Sequence, residues 1–171
     1  MGRAMRHKII GYTILTVVFF VLQTSSLSIC RIWGFTPNFL LLLTVCVAFR
    51  ESETFAAFYG LACGLLYDLT TQSTVGLRAA IYMFGAYFIA IAVRTVFRPY
   101  FLTYVGFALA ALAVSLLFDY LFYLLLNGAY PFRQALRQII LPQFLIGGIW
   151  SYPVYYIIYR FHLSMQRRGV V

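Results

Sequence analysis

Four acids and two histidines, Glu51, Glu53, Asp68, Asp119, His7 and His162, are the acidic and imidazole side chains that this 171-residue chain offers for acid–base chemistry. Catalysis by such groups needs two or more within hydrogen-bond reach of one reacting atom. Glu51 and Glu53 share the polar turn Arg50-Glu51-Ser52-Glu53 and read as solvated turn residues. Both histidines lie in the basic ends of the chain, away from Asp68 and Asp119, so no His/acid cluster has metal-ligand spacing. Cys30, Cys46 and Cys63 sit in or beside apolar runs without a CxxC spacing and read as small packing residues. The pattern argues against an enzyme and implies no cofactor and no metal.

The two aspartates are embedded in apolar sequence. Ala56, Gly60, Gly64 and Asp68 recur every four residues, which places them on one stripe of a helix, and Ala108, Ala111, Ser115 and Asp119 form a similar stripe. The stretches 62–68 and 113–119 both read small, any, small, Leu, Leu, aromatic, Asp. Small residues let helices approach closely in lipid. An Asp at mid-membrane costs about 2.5 to 3.5 kcal/mol on insertion scales. Asp119 must therefore face protein or a wet cavity and find a donor, either a Tyr hydroxyl or a basic residue such as Arg133 or Arg137. A proton or ion relay through Asp119 is the functional alternative. Asp68, near a helix end, is expected to bond the 70–74 loop or Arg78.

The elements that carry these residues follow from composition. Hydrophobic residues make up 63% of the chain and charged residues 10%, against about a quarter charged in ordinary globular domains. A soluble domain of this size exposes too much of its surface to hide that load. Lipid is the implied solvent. The formal charge of +9 comes from basic residues at the ends of apolar runs, the place where positive-inside sorting puts them. No nucleic-acid partner is implied.

Splitting the chain at charges and turn formers gives an all-α integral membrane protein with six transmembrane helices in a single domain. The helices fall at about 9–30, 37–49, 54–69, 76–96, 100–126 and 139–159. Six spans put Arg3, Arg6, Lys8, Arg50, Arg94, Arg98, Arg160, Arg167 and Arg168 on one side, and only Arg31, Arg78, Arg133 and Arg137 on the other. That bias predicts an inner-membrane protein with both termini in the cytoplasm.

The order of short motifs then becomes recognisable. Thr36-Pro37-Asn38-Phe39 opens the second helix, Gly60-x-x-x-Gly64-x-x-x-Asp68-Leu69 closes the third, and Ser73-Thr74-x-Gly76-x-Arg78 opens the fourth. With Asp119 and the basic tail, this order resembles the rod shape-determining protein MreD family. The resemblance implies a non-enzymatic scaffold subunit of the bacterial cell-elongation (rod) complex, which guides lateral peptidoglycan synthesis and cell shape. It implies an MreC-like bitopic partner, with a RodA-type glycosyltransferase, an elongation-class penicillin-binding protein and MreB alongside. It also implies a fold similar to the substrate-binding subunits of energy-coupling-factor transporters.

On this reading Pro37, Asn38, Gly60, Gly64, Asp68, Gly76, Arg78 and Asp119 are the candidate helix-packing or partner-binding residues. A vitamin-binding transporter subunit is the competing reading. It requires an outward pocket lined by polar groups among aromatics, for which Asp119, Tyr120, Tyr123, Tyr130 and Trp150 are the candidates.

Overall fold

A computed structural model describes residues 2–24, 37–71, 76–95, 100–127 and 136–167. They form six α-helices: α1 (Gly2–Thr24), α2 (Phe39–Ala48), α3 (Glu53–Thr71), α4 (Leu77–Thr95), α5 (Phe101–Asn127) and α6 (Leu141–Arg167). A π-helical turn, Leu136–Ile140, leads into α6. There is no strand among the described residues. Expectations resting on Cys30, Arg31, Ser73, Thr74, Tyr130 and Arg133, and on the Tyr123 side chain, fall outside what is described.

The shortest helix is the hub. All ten residues of α2 are buried, and it touches α1, α3, α4, α5 and α6. Ten residues rise only about 15 Å, half of a bilayer core of about 30 Å. Asn38 starts it: its Oδ1 accepts from Leu41 N–H at 3.1 Å, satisfying one of the donors that a helix N-terminus leaves open. Gln23 of α1 accepts from Leu40 N–H at 3.2 Å, which ties the end of α1 to the start of α2.

Around this hub, α3 and α4 form an antiparallel pair in the closest contact of the molecule. The glycine stripe explains the closeness. A Cβ on Gly60 would lie 2.5 Å from the Tyr82 carbonyl oxygen, and one on Gly64 would lie 2.4 Å from Ala79 Cα. Both glycines are therefore consumed inside the chain, against α4. Across α6, Gly147 similarly admits Leu112 of α5.

The outside of the bundle is greasy. Ile14, Val17 and Val21 of α1, Phe84 and Phe88 of α4, Leu117 of α5, and Ile149 and Tyr152 of α6 are all exposed. Water-soluble monomers do not present apolar surface on this scale. Two helical segments, Leu77–Thr95 and Phe101–Leu121, are long and apolar enough by themselves to cross a membrane. In α6, Pro142 falls in the first turn, where its missing N–H is no loss, whereas Pro153 sits inside the helix.

Candidate functional site

At the end of the bundle where α3 passes to α4, the two aspartates do different jobs. Asp68 is almost fully buried. Its Oδ2 accepts from the backbone N–H of Gly76 at 2.8 Å and of Ala79 at 3.3 Å. The carboxylate thus caps the N-terminus of α4, where the helix dipole favours negative charge. Gly76 has φ +105°, a backbone conformation open to glycine at little cost, and this turn brings the α4 amides round to Asp68.

Asp119 of α5 takes Arg78 of α4. Arg78 donates from Nε at 3.0 Å and from Nη2 at 2.8 Å, both to Oδ1. Sequence points to a Tyr hydroxyl or to a basic residue such as Arg133 or Arg137; the described donor is Arg78, and Arg133 lies outside the described residues. Arg78 lies in the first turn of α4, within reach of α5, and its guanidinium also lies 4.4 Å from the Tyr67 ring centroid. Tyr82, fully enclosed, accepts from Asn38 Nδ2 at 2.5 Å, joining α4 to the α2 cap. Asn38, Asp68, Gly76, Arg78 and Asp119 therefore meet at one end of the bundle. Pro37 is buried beside them, and Gly60 and Gly64 line the α3–α4 seam below.

At the opposite end the sequence expectation for Glu51 fails. Glu51 is buried, with 5% of its surface exposed. It forms an ion pair with Lys8 and accepts from the Tyr12 hydroxyl at 2.9 Å. A turn residue this deep needs partners, because a buried unpaired carboxylate is costly. Glu53 remains half-exposed and pairs with Arg94 at 2.9 Å. Sequence carried an unused sign of this arrangement: Lys8, Tyr12 and Thr16 recur every four residues along an otherwise apolar helix. Thr16 Oγ1 and Tyr59 hydroxyl lie 2.5 Å apart, and Tyr12 meets the Tyr59 ring at 5.8 Å. His162, also buried at this end, is held below its ordinary pKa by burial first and by nearby Arg50 second.

Between α4 and α5 the bundle opens. These helices touch sparsely, and a groove of about 210 Å³ runs between them over α2. Gly85, Ala86, Phe88, Phe107, Ala110 and Ala111 form much of its walls. Of the candidates for a polar ligand pocket, the described side chains Asp119, Tyr120 and Trp150 do not line it. Asp119 is bound to Arg78, and Trp150 packs edge-on against Phe39 in the core at 5.3 Å. Among the described residues no group of three or more His, Cys, Asp or Glu side chains converges to hold a metal.

The sequence model of the rod shape-determining protein MreD matches residues 5–165. The chain belongs to the MreD family. As an MreD protein it is a membrane protein of the cell-shape machinery, with a structural rather than catalytic description. No curated protein and no solved structure matches the chain. The MreD match covers all six helices, both polar ends and the α4–α5 groove.

Proposed function

We propose that this chain is a non-enzymatic scaffold subunit of the bacterial rod complex. It crosses the inner membrane six times, with both termini in the cytoplasm. It supports lateral peptidoglycan synthesis by holding the membrane helix of an MreC-like bitopic partner. A RodA-type glycosyltransferase, an elongation-class penicillin-binding protein and MreB associate through that assembly. Its fold is similar to the substrate-binding subunits of energy-coupling-factor transporters, a likeness that rests on the family resemblance.

The groove between α4 and α5 is the observation that carries the scaffold reading. Among larger apolar residues its walls carry Gly85 and Ala86 on α4 and Ala110 and Ala111 on α5, small residues of the kind that let a further membrane helix approach closely. The Arg78–Asp119 pair clasps the two walls at one end. The lining is almost wholly apolar, which suits a helix better than a vitamin. The orientation is supported by the charges that meet at one end: Lys8 and Arg94 pair with Glu51 and Glu53, and Arg50 lies beside Tyr159.

Gly85→Leu tests the docking surface. Nothing lies within 4 Å of a Cβ placed on Gly85, so the fold accepts the substitution while the groove is filled. Loss of the bitopic partner from detergent-purified complexes, at unchanged protein level, is expected. Full retention of the partner would sink the assignment of this groove.

A further inference from the structure

The end of the bundle built by the α2–α3 turn holds two kinds of cation. Lys8 and Arg94 are matched by Glu51 and Glu53, which uses both acids. Arg50 and Arg160 instead lie against tyrosine rings of α6. The Arg50 guanidinium carbon is 5.0 Å from the Tyr159 centroid and 5.8 Å from that of Tyr155. Those two rings are themselves nearly parallel, 6.1 Å apart at 18°. Arg160 lies 5.5 Å from the Tyr156 centroid.

A guanidinium resting on aromatic faces uses its flat side there and keeps its in-plane N–H donors for something else. Arg50 Nε is buried, and no hydrogen-bond acceptor reaches it among the described residues. A buried donor on a charged group is costly without an acceptor. The acceptor that fits a planar fork is a phosphate or a carboxylate.

The surroundings decide between them. Ile149, Tyr152, Tyr156 and Ile157 are exposed along the same helix, so an anion arriving here shares its surface with hydrocarbon. Tyrosines in this position favour the headgroup level of a bilayer. We propose that Arg50, with Arg160 on the adjacent face of α6, binds the phosphate of an anionic phospholipid whose acyl chains lie along exposed α6. The site lies at the end that the proposed orientation puts in the cytoplasm, and it is separate from the α4–α5 groove.

The test uses the full chain purified in a non-ionic detergent. Phosphatidylglycerol, phosphatidylcholine or inorganic phosphate is added, and bound lipid is read by native mass spectrometry beside the melting temperature. Phosphatidylglycerol is expected to bind and to raise the melting temperature. Arg50→Gln weakens that binding at least about fivefold and leaves phosphatidylcholine unchanged. Arg137→Gln, exposed in the π-helical turn at the far end, has no effect. Arg50→Lys keeps the charge but loses the fork, so it falls between wild type and Arg50→Gln, and it serves if the glutamine variant does not accumulate.

Equal phosphatidylglycerol retention by wild type and both Arg50 variants overturns the proposal. So does full protection by inorganic phosphate alone, which would make this a free-anion site. Retention of a protein partner that depends on Arg50, without lipid binding, would assign the surface to an acidic segment instead.

Discussion

Arg78 and Asp119 bind through one carboxylate oxygen, which takes both the Nε and the Nη2 hydrogen bonds at 3.0 and 2.8 Å. The pair joins helices α4 and α5, which otherwise touch little. It therefore acts as a clasp on one end of an open groove. Arg78 is mostly buried and Asp119 about a third exposed, with side-chain exposures of 12% and 35%.

Removing the clasp should destabilise the chain unequally from its two sides. Asp119→Asn keeps the shape but leaves Arg78 buried beside a neutral amide, at a cost of about 1 to 3 kcal/mol. The partial exposure of Asp119 keeps the effect below that of a fully buried pair. Melting of detergent-solubilised Asp119→Asn, Arg78→Gln and the double variant forms a cycle. A coupling near zero would show that the helices hold together without the pair. An ion relay through Asp119 predicts the reverse pattern: transport abolished while melting is unchanged.

The glycine stripe makes a prediction of a different kind. Gly64→Leu drives a side chain into the backbone of α4, since even a Cβ would sit 2.4 Å from Ala79 Cα. Backbone cannot yield as a side-chain tip does, so the cost exceeds the usual overpacking range of about 1 to 3 kcal/mol. The expected result is little folded protein in the membrane. Loss of a partner from Gly64→Leu therefore says nothing about docking, whereas loss from Gly85→Leu does. Normal accumulation of Gly64→Leu would contradict the α3–α4 packing.

Asp68 and its spacing show what the sequence made legible. The stripe Ala56, Gly60, Gly64, Asp68 points to a close helix contact, and α3 and α4 approach closely at Gly60 and Gly64. Chain direction hid the rest. Sequence spacing could not say that Arg78, 41 residues from Asp119, would reach it, because pairing between helices depends on their rotation in the bundle. The burial of Glu51 is hidden in the sequence for a similar reason. A polar turn looks solvated until a distant helix covers it, and here α1 brings Lys8 and Tyr12 over the turn. The four-residue recurrence of Lys8, Tyr12 and Thr16 marks the polar face that does so.

Glu51 and Glu53 allow a comparison within one turn. Glu51→Ala leaves the Tyr12 hydroxyl and Lys8 without their acceptor at a site where the acid was 5% exposed. The cost should be about 2 to 4 kcal/mol, somewhat under the range for a fully buried pair because Lys8 keeps some solvent contact. Glu53→Ala breaks a pair in which both partners are substantially exposed, 50% for Arg94 and 40% for Glu53, and should cost under about 1 kcal/mol. Thermal melts of the two variants side by side check the ranking. Equal losses would mean that Glu51 is not the junction between α1 and the α2–α3 turn.

His162 supplies the pH dependence. Burial, helped by Arg50, holds its imidazole below the ordinary value of 6.5, so the folded chain favours the neutral ring. The unfolded chain then binds more protons in the interval between the lowered folded value and about 6.5. The His162 contribution is fully present above that interval and is lost as pH falls through it. Melting temperatures taken between pH 7.5 and 5.5 should therefore drop on acidification. His162→Gln, which removes the titrating group and keeps a polar side chain, should flatten the drop. An unchanged slope in that variant would show that His162 is not the source of the acid sensitivity.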